Sequence, residues 1–371
     1  MRADVIVLVL PGLLLGACSE YGGVARPGPT APSLTTTNTS STDPGPAVDE
    51  DGDGYDPSDG DCDDDDPDVH EGAEEIGWDG IDQDCDGRDV YDFDQVCGGD
   101  AYSCGIDTLG RVHCWGEGFA VQYAPALDEG PWSALACGGV VACAVGSDGT
   151  WACWGTDHRD YQLISRGPEA TAALQAVSQV AVGRDHACML DDSGEHVCWG
   201  RDDAGQVSNV SAGATFREIS VGRMHTCGLA ASSGQLTCWG AEGSGDLISS
   251  TPNTDRLAGI VGGVGFACGI GSSIVCWGDY EAELPVGGRW SMLAAGDRFL
   301  CGLDDGAPWC GVDGPDTHEV EAALPTNTPL RFIGAGSDHV CAIRSADGEL
   351  DCWGRDDRGQ ATVPDFSALV P

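Results

Sequence analysis

The triplet Cys-Trp-Gly stands six times in this chain of 371 residues, and its recurrence constrains the fold more than any other feature. The copies are Cys114-Trp115-Gly116, Cys153-Trp154-Gly155, Cys198-Trp199-Gly200, Cys238-Trp239-Gly240, Cys276-Trp277-Gly278 and Cys352-Trp353-Gly354, with a scrambled seventh at Trp309-Cys310-Gly311. Return every 33 to 45 residues marks a repeat architecture, whose units bury their apolar faces by stacking on one another.

The register extends backwards from each triplet. A partner cysteine lies eight to eleven residues upstream: Cys104, Cys143, Cys188, Cys227, Cys268, Cys301 and Cys341. Five residues before each partner is a glycine, from Gly99 and Gly138 to Gly336, and six before that an apolar anchor, from Phe93 and Trp132 to Leu330. Between the two cysteines of a unit lies a turn such as Ser147-Asp148-Gly149 or Asp192-Ser193-Gly194, flanked by short apolar runs. This is a hairpin pattern. Cysteines equally far from the turn become cross-strand neighbours, so disulfides are expected for Cys104–Cys114, Cys143–Cys153, Cys188–Cys198, Cys227–Cys238, Cys268–Cys276, Cys301–Cys310 and Cys341–Cys352. Closing loops this short stabilises by about 2.5 to 3 kcal/mol each in the chain-entropy view.

Nineteen cysteines without one Cys-x-x-Cys spacing argue against zinc ribbons and for disulfides, hence for an exported protein. Sixty-one acidic residues against 17 basic ones give a net charge of -44, which repels nucleic acid and anionic lipid. At the N-terminus an apolar run over 5–15 suits a signal peptide and is too short to span a bilayer. It ends in Leu15-Gly16-Ala17-Cys18, which resembles a bacterial lipobox and implies cleavage after residue 17 and lipidation of Cys18. The alternative is an ordinary secretory signal with a chance cysteine. Removing Cys18 leaves an even eighteen for pairing. Residues 18–48, rich in Ser, Thr, Pro and Gly, read as a disordered stalk.

Residues 49–89 are a separate acidic module. Asp49-x-Asp51-x-Asp53-Gly54 and Asp82-x-Asp84-x-Asp86-Gly87 match the opening of a calcium loop, in which alternate carboxylates converge on a hard cation and glycine permits the turn. Asp59, Asp61, Asp63 and Asp65 alternate between them. Neither loop has glutamate at its twelfth position, so these are not EF-hands. A Cys62–Cys85 bridge would staple a domain too small to hold itself. The stretch resembles the metal-binding motif of bacterial surface proteins, and that resemblance implies metal binding. All-oxygen ligands favour calcium; copper would want His or Met, and His70 stands alone. A solvated acidic tail is the bland alternative.

Residues 90–371 hold the repeats. Short strands recurring about every 40 residues suggest a β-propeller. The pattern Gly-x-x-His-x-Cys … Asp-Gly-x-x-x-Cys-Trp-Gly-x-x-x-x-Gly-Gln resembles the regulator of chromosome condensation repeat, best at 183–206 and 336–360. Seven copies imply an all-β, seven-bladed ring. An eighth anchor-like stretch, Phe366-Ser367-Ala368-Leu369, suggests a strand that completes a blade begun at the other end. Cys97 and Cys137 remain; they differ by one residue in repeat register, which puts them on opposite strand faces and leaves their pairing open.

No catalytic motif is legible. His186, His225 and His339 share a repeat column with Tyr102, Val141, Phe266 and Phe299, which is a packing column. The reading is an exported, lipid-anchored monomer at the outer membrane or cell surface that touches the membrane only through its anchor, with structural calcium. Its propeller would bind an extracellular protein or glycan. Exported relatives of the repeat family include protein-binding propellers, whereas the chromatin- and GTPase-binding roles of nuclear members are excluded by export and acidity. The alternatives are a hydrolase or lyase on an extracellular polymer, drawing on His113, His158, His196 and His318, and copper scavenging by the acidic module.

Overall fold

The computed structural model describes residues 49–364 and 366, apart from 74–80, 86–90, 123, 125–129, 158–161, 241–246, 249, 253–256, 314–319, 322 and 326–327. The signal segment, Cys18, the stalk and Asp86 therefore lie outside the described residues, as do Ser367, Ala368 and Leu369 of the eighth anchor copy. The chain divides into two compact units, one ending at residue 89 and the other running on from 90.

The second unit is all β. It consists of seven three-stranded antiparallel sheets, each built from consecutive strands. We number them as blades 1 (93–116), 2 (132–155), 3 (177–200), 4 (216–240), 5 (259–278), 6 (290–312) and 7 (330–354). In blade 1 the strands are Phe93–Gly98, Tyr102–Asp107 and Val112–Gly116. The first strand of each blade packs against the first strands of its two neighbours, and blade 7 closes on blade 1. The ring is complete.

Each blade forms for local reasons visible in its residues. In blades 1 and 3 the turn between second and third strands is closed by an aspartate whose Oδ1 accepts backbone N–H groups two and four residues on, Asp107 from Leu109 and Arg111 and Asp191 from Ser193 and Glu195. That side-chain-to-backbone bonding is why Asp, Ser and Gly dominate these turns. In every blade the two cysteines stand directly opposite in register and are bonded, with Cα atoms 4.0–4.1 Å apart. The scrambled triplet of blade 6 keeps this pairing through Cys301–Cys310.

The core lies between blades. Leu229 and Leu236 of blade 4 pack on Leu257, Ile260 and Trp277 of blade 5, and Met292 and Phe299 of blade 6 on Leu330, Ile333 and Trp353 of blade 7. Both faces of each sheet are thus covered, which explains second strands such as Val141–Gly146 and His186–Asp191 that are buried at every residue. Cys97 and Cys137 bridge blades 1 and 2. Their one-residue offset is what permits the bond. Adjacent sheets stack face to face, so side chains on opposite faces of equivalent strands are the ones that meet.

At the axis the seven first strands converge. A cavity of about 70 Å³ is lined by three consecutive residues from each blade: 98–100, 137–139, 182–184, 221–223, 262–264, 295–297 and 335–337. The middle residue is always the glycine of the repeat. A Cβ on Gly183, Gly222, Gly263, Gly296 or Gly336 would come within 2.6–2.8 Å of the carbonyl oxygen of the next blade's glycine. Only glycine permits so close an approach of backbones.

Candidate metal centre and propeller surfaces

In the acidic unit, three carboxylates behave alike. Asp51 Oδ1 accepts the Asp53 N–H at 3.1 Å, Asp53 Oδ1 the Tyr55 N–H at 2.7 Å, and Asp61 Oδ1 the Asp63 N–H at 2.9 Å. Each aspartate so fixes its own turn with one oxygen. The other oxygens, Asp51 Oδ2, Asp53 Oδ2 and Asp61 Oδ2, are buried without a hydrogen-bond partner. A buried carboxylate oxygen without a partner is costly, and several together repel. Burial first, then Asp53, Asp61 and Asp49, raise the Asp51 carboxyl above its usual range.

Asp49, Asp51 and Asp53 each offer an oxygen within 4.8 Å of the others. Asp49 also accepts from Gly52 and Gly54, both at positive φ, which turns the loop around the cluster. Among the described residues this is the one such trio. Asp61 is 6 % exposed, while Asp59, Asp63 and Asp65 face solvent and Asp82 and Asp84 are half-buried outside the trio. Asp64 accepts the Glu50 N–H, tying the two acid runs together, and the Cys62–Cys85 disulfide and the His70 N–H to Gln83 carbonyl bond hold the later segment to them. The donor set is all oxygen and suits a hard cation.

The histidines of the propeller are spread through its walls. His113 (blade 1) donates through Nε2 to Asp107 Oδ2 at 2.8 Å, inside an aromatic cluster with Phe93 and Phe366. Although burial pushes the Asp107 carboxyl up, bonds from His113 and Arg111 outweigh it and hold it below the usual range. His196 (blade 3) packs edge-on against Phe216 of blade 4. These two lie in different blades, and His158 and His318 fall outside the described residues, so no histidine–carboxylate cluster is gathered on one face among the described residues. His186 Nε2 meets Thr226 Oγ1 at 2.9 Å, and Thr226 donates onward to the Gln206 carbonyl at 2.8 Å. The hydroxyl proton is thus engaged, so His186 is the donor to Thr226. Through this bond His186 joins blade 3 to blade 4.

Two families match the sequence. The one described as "Putative metal-binding motif" (Cu-binding MopE) covers residues 61–89, and the one described as "Regulator of chromosome condensation (RCC1) repeat" covers 177–206 and 331–360. The propeller carries regulator of chromosome condensation repeats. Solved structures agree on the fold. The ectodomain of the Physcomitrella patens receptor kinase CR4 is 25% identical over 71% of this chain and 74% of its own, with TM-score 0.59. The CRINKLY WD40 ectodomain of the Arabidopsis thaliana receptor kinase ACR4 is 20% identical over 71% and 96%, also at 0.59. Yeast RCC1 (Prp20), solved with Kap60, is 15% identical over 69% and 76%, at 0.52.

The metal-motif match begins at Asp61, so the Asp49, Asp51, Asp53 trio precedes it. Spacing alone finds the trio; the orphaned oxygens need coordinates. Sequence reasoning missed the blade-joining bonds of Gln95 and Gln179. Each side chain accepts an N–H and donates to a carbonyl of the next blade's first strand: Leu135 and Ser133, and Ile219 in both roles. Their signal was a recurring glutamine two residues after the anchor. Between blades 2 and 3 lies the helix Leu163–Ala170, capped by Asp157 through the Ile164 and Ser165 amides. Among the described residues no helix is long and apolar enough to cross a membrane. Nine disulfides mark an extracytoplasmic protein.

Proposed function

We propose that this chain is an exported, lipid-anchored surface protein, with a propeller that binds an extracellular protein or glycan and an acidic module that holds calcium as a structural ion. The observation that carries the metal half is the set of three buried, partnerless oxygens on Asp51, Asp53 and Asp61. Asp49, Asp51, Asp53 and Asp61 would hold the ion. Bound calcium supplies charge compensation and no redox chemistry, stabilising the unit by linkage. The chain's own Asx turns pre-set one oxygen of each carboxylate, which lowers the ordering cost of binding.

The scaffold half rests on the repeat family and on the stapled ring, which presents interblade loops from a rigid frame. The two receptor ectodomains of the same fold are themselves extracellular modules, a role that suits an exported propeller. Lipid anchoring rests on the lipobox-like Leu15-Gly16-Ala17-Cys18 alone.

Calorimetry on the oxidised, EDTA-stripped protein tests the metal assignment. Calcium binding that Asp53→Asn and Asp61→Asn each weaken is the expected result. Tight copper uptake without calcium binding would make metal handling the function, and binding of neither would reduce the module to an acidic spacer.

A further inference from the structure

The third lining residue of each blade rings one mouth of the axial cavity: Asp100, Gly139, Arg184, Arg223, Val264, Asp297 and Ser337. In a chain of net charge -44 this ring sums to zero, two aspartates against two arginines. The charges are segregated. Arg184 and Arg223 sit on adjacent blades 3 and 4, while Asp297 and Asp100 sit on blades 6 and 1 with Ser337 between them.

The ring is rigid. Backbone N–H groups of Asp100, Arg223, Val264, Asp297 and Ser337 each donate to a carbonyl of the next blade, at 2.8–3.4 Å. Ser337 Oγ donates to Asp100 Oδ1 at 2.8 Å, which orients that carboxylate. Arg184 lies 3.5 Å from Asp100. Arg223 and Asp297 make no side-chain hydrogen bond or ion pair among the described residues, with Val264 standing between them in the ring. Burial, then Asp100 and Asp338, raise the Asp297 carboxyl, and Arg184 and Arg223 lower it. The balance leaves its negative charge incompletely compensated.

We propose that this mouth binds a small dipolar molecule carrying a carboxylate and an ammonium group close together, as a free α-amino acid does. Arg223 takes the carboxylate and Asp297 the ammonium, beside the Arg184–Asp100 ion pair; Val264 and the glycine floor restrict what projects inward. A guanidinium matches a carboxylate through paired N–H donors, and preset charges on a rigid ring avoid the cost of ordering them. Only a molecule with both charges engages both halves. The site is independent of any partner of the outer loops.

The test is calorimetric titration of the oxidised, full-length exported protein with glycine, glycinamide (cation alone) and acetate (anion alone). Glycine should bind, with glycinamide and acetate each weaker by about tenfold or more, as loss of a charge-assisted bond implies. Arg223→Gln and Asp297→Asn should each reduce glycine affinity by a similar factor without lowering the unfolding midpoint, since among the described residues neither side chain makes a hydrogen bond that holds the fold and a neutral amide at position 297 relieves the burial of a charge. Val264→Phe, which narrows the mouth without altering charge, should also weaken glycine. Absence of glycine binding, equal binding to wild type and Asp297→Asn, or glycinamide binding as tightly as glycine would each overturn the assignment. Capture of a protein or glycan by the loops, measured on the same variants, would survive that failure.

Discussion

His339 of the last blade donates through Nε2 to Ser103 Oγ of the first at 2.8 Å, and Ser103 passes its own proton to the Gln360 carbonyl at 2.9 Å. The same relay joins blades 3 and 4 through His186, Thr226 and Gln206. A hydroxyl in this column thus follows a histidine in the preceding blade. Ser103→Ala would leave His339 buried with an unmade bond, a loss of about 1–3 kcal/mol. Replacing His339 by Phe, the residue blades 5 and 6 already use, should recover most of that loss in the Ser103→Ala background. A double-mutant cycle by chemical denaturation of the oxidised protein checks the coupling.

His225 lacks the relay. Its Nε2 is buried without a partner, and blade 5 offers Ala267 where Thr226 and Ser103 stand elsewhere. Ala267→Ser should add a bond and raise stability by about 0.5–1.5 kcal/mol. No gain in unfolding midpoint would mean the added hydroxyl does not reach the ring.

Acid should loosen the ring. Burial drives the histidine pKa down, to about 3 for His186 and about 4 for His225 and His339, from an ordinary 6.5. The unfolded chain then binds protons that the folded one does not, so their contribution is full above about pH 6.5 and is lost as pH falls toward 4. Melting temperature measured from pH 7 to 4 should fall, and a triple His→Phe variant should fall less.

Glu218 runs the opposite way. It occupies the position of Gln95 and Gln179, and its Oε1 accepts the Ile260 N–H at 2.7 Å, but Oε2 is buried without a hydrogen-bond partner, 4.0 Å from the Arg217 guanidinium. Burial pushes its carboxyl up to about 8, against a lowering bond from Ile260 and the charge of Arg217. The folded state retains a proton that the unfolded state releases, so stability present below about pH 4.5 declines as pH rises toward 8. Glu218→Gln should therefore stabilise at pH 8 by about 1 kcal/mol or more and flatten the profile between pH 5 and 8. Equal midpoints for both proteins at pH 8 would refute it.

Gly336→Ala tests the axial packing. The new Cβ would lie 2.1 Å from the His339 ring and 2.6 Å from the Gly99 carbonyl oxygen. A destabilisation of about 1–3 kcal/mol is expected from such overpacking. The exposed Gly213, with nothing within 4 Å of its Cβ but a φ of +75°, separates backbone strain from crowding as a control.

Seven blades were legible because each repeats the same anchor, glycine and cysteines, and because cross-strand spacing makes each cysteine pair. The glycine column was visible too, but not its cause, since convergence on an axis is a property of the closed ring. Cys97–Cys137 was ambiguous for a related reason: one residue of offset separates two atoms on one strand and joins them between two stacked sheets. In the acidic unit alternation found Asp49, Asp51 and Asp53 and could not rank the other aspartates, since only folding buries Asp61 and exposes Asp59, Asp63 and Asp65. The zero-sum mouth depends on seven residues about 40 apart in sequence, whose charges have meaning only once the ring is closed.

The distribution of covalent bonds also decides how the ring comes apart. Every blade has its second and third strands bolted together, so neither of those can peel from the other, and blades 1 and 2 are bolted to each other through their first strands. Among the described residues the seam between blades 7 and 1 has no disulfide: it is held by the His339–Ser103–Gln360 relay, by Ser337 on Asp100, by Arg331 on Asp92 and the Phe93 carbonyl, by the Arg358–Glu117 ion pair and by packing. A load on the C-terminal end meets that seam first. The propeller should then unspool in whole-blade steps from blade 7, each step releasing a fixed length of chain around an intact hairpin, and blades 1 and 2 should leave last, as one body.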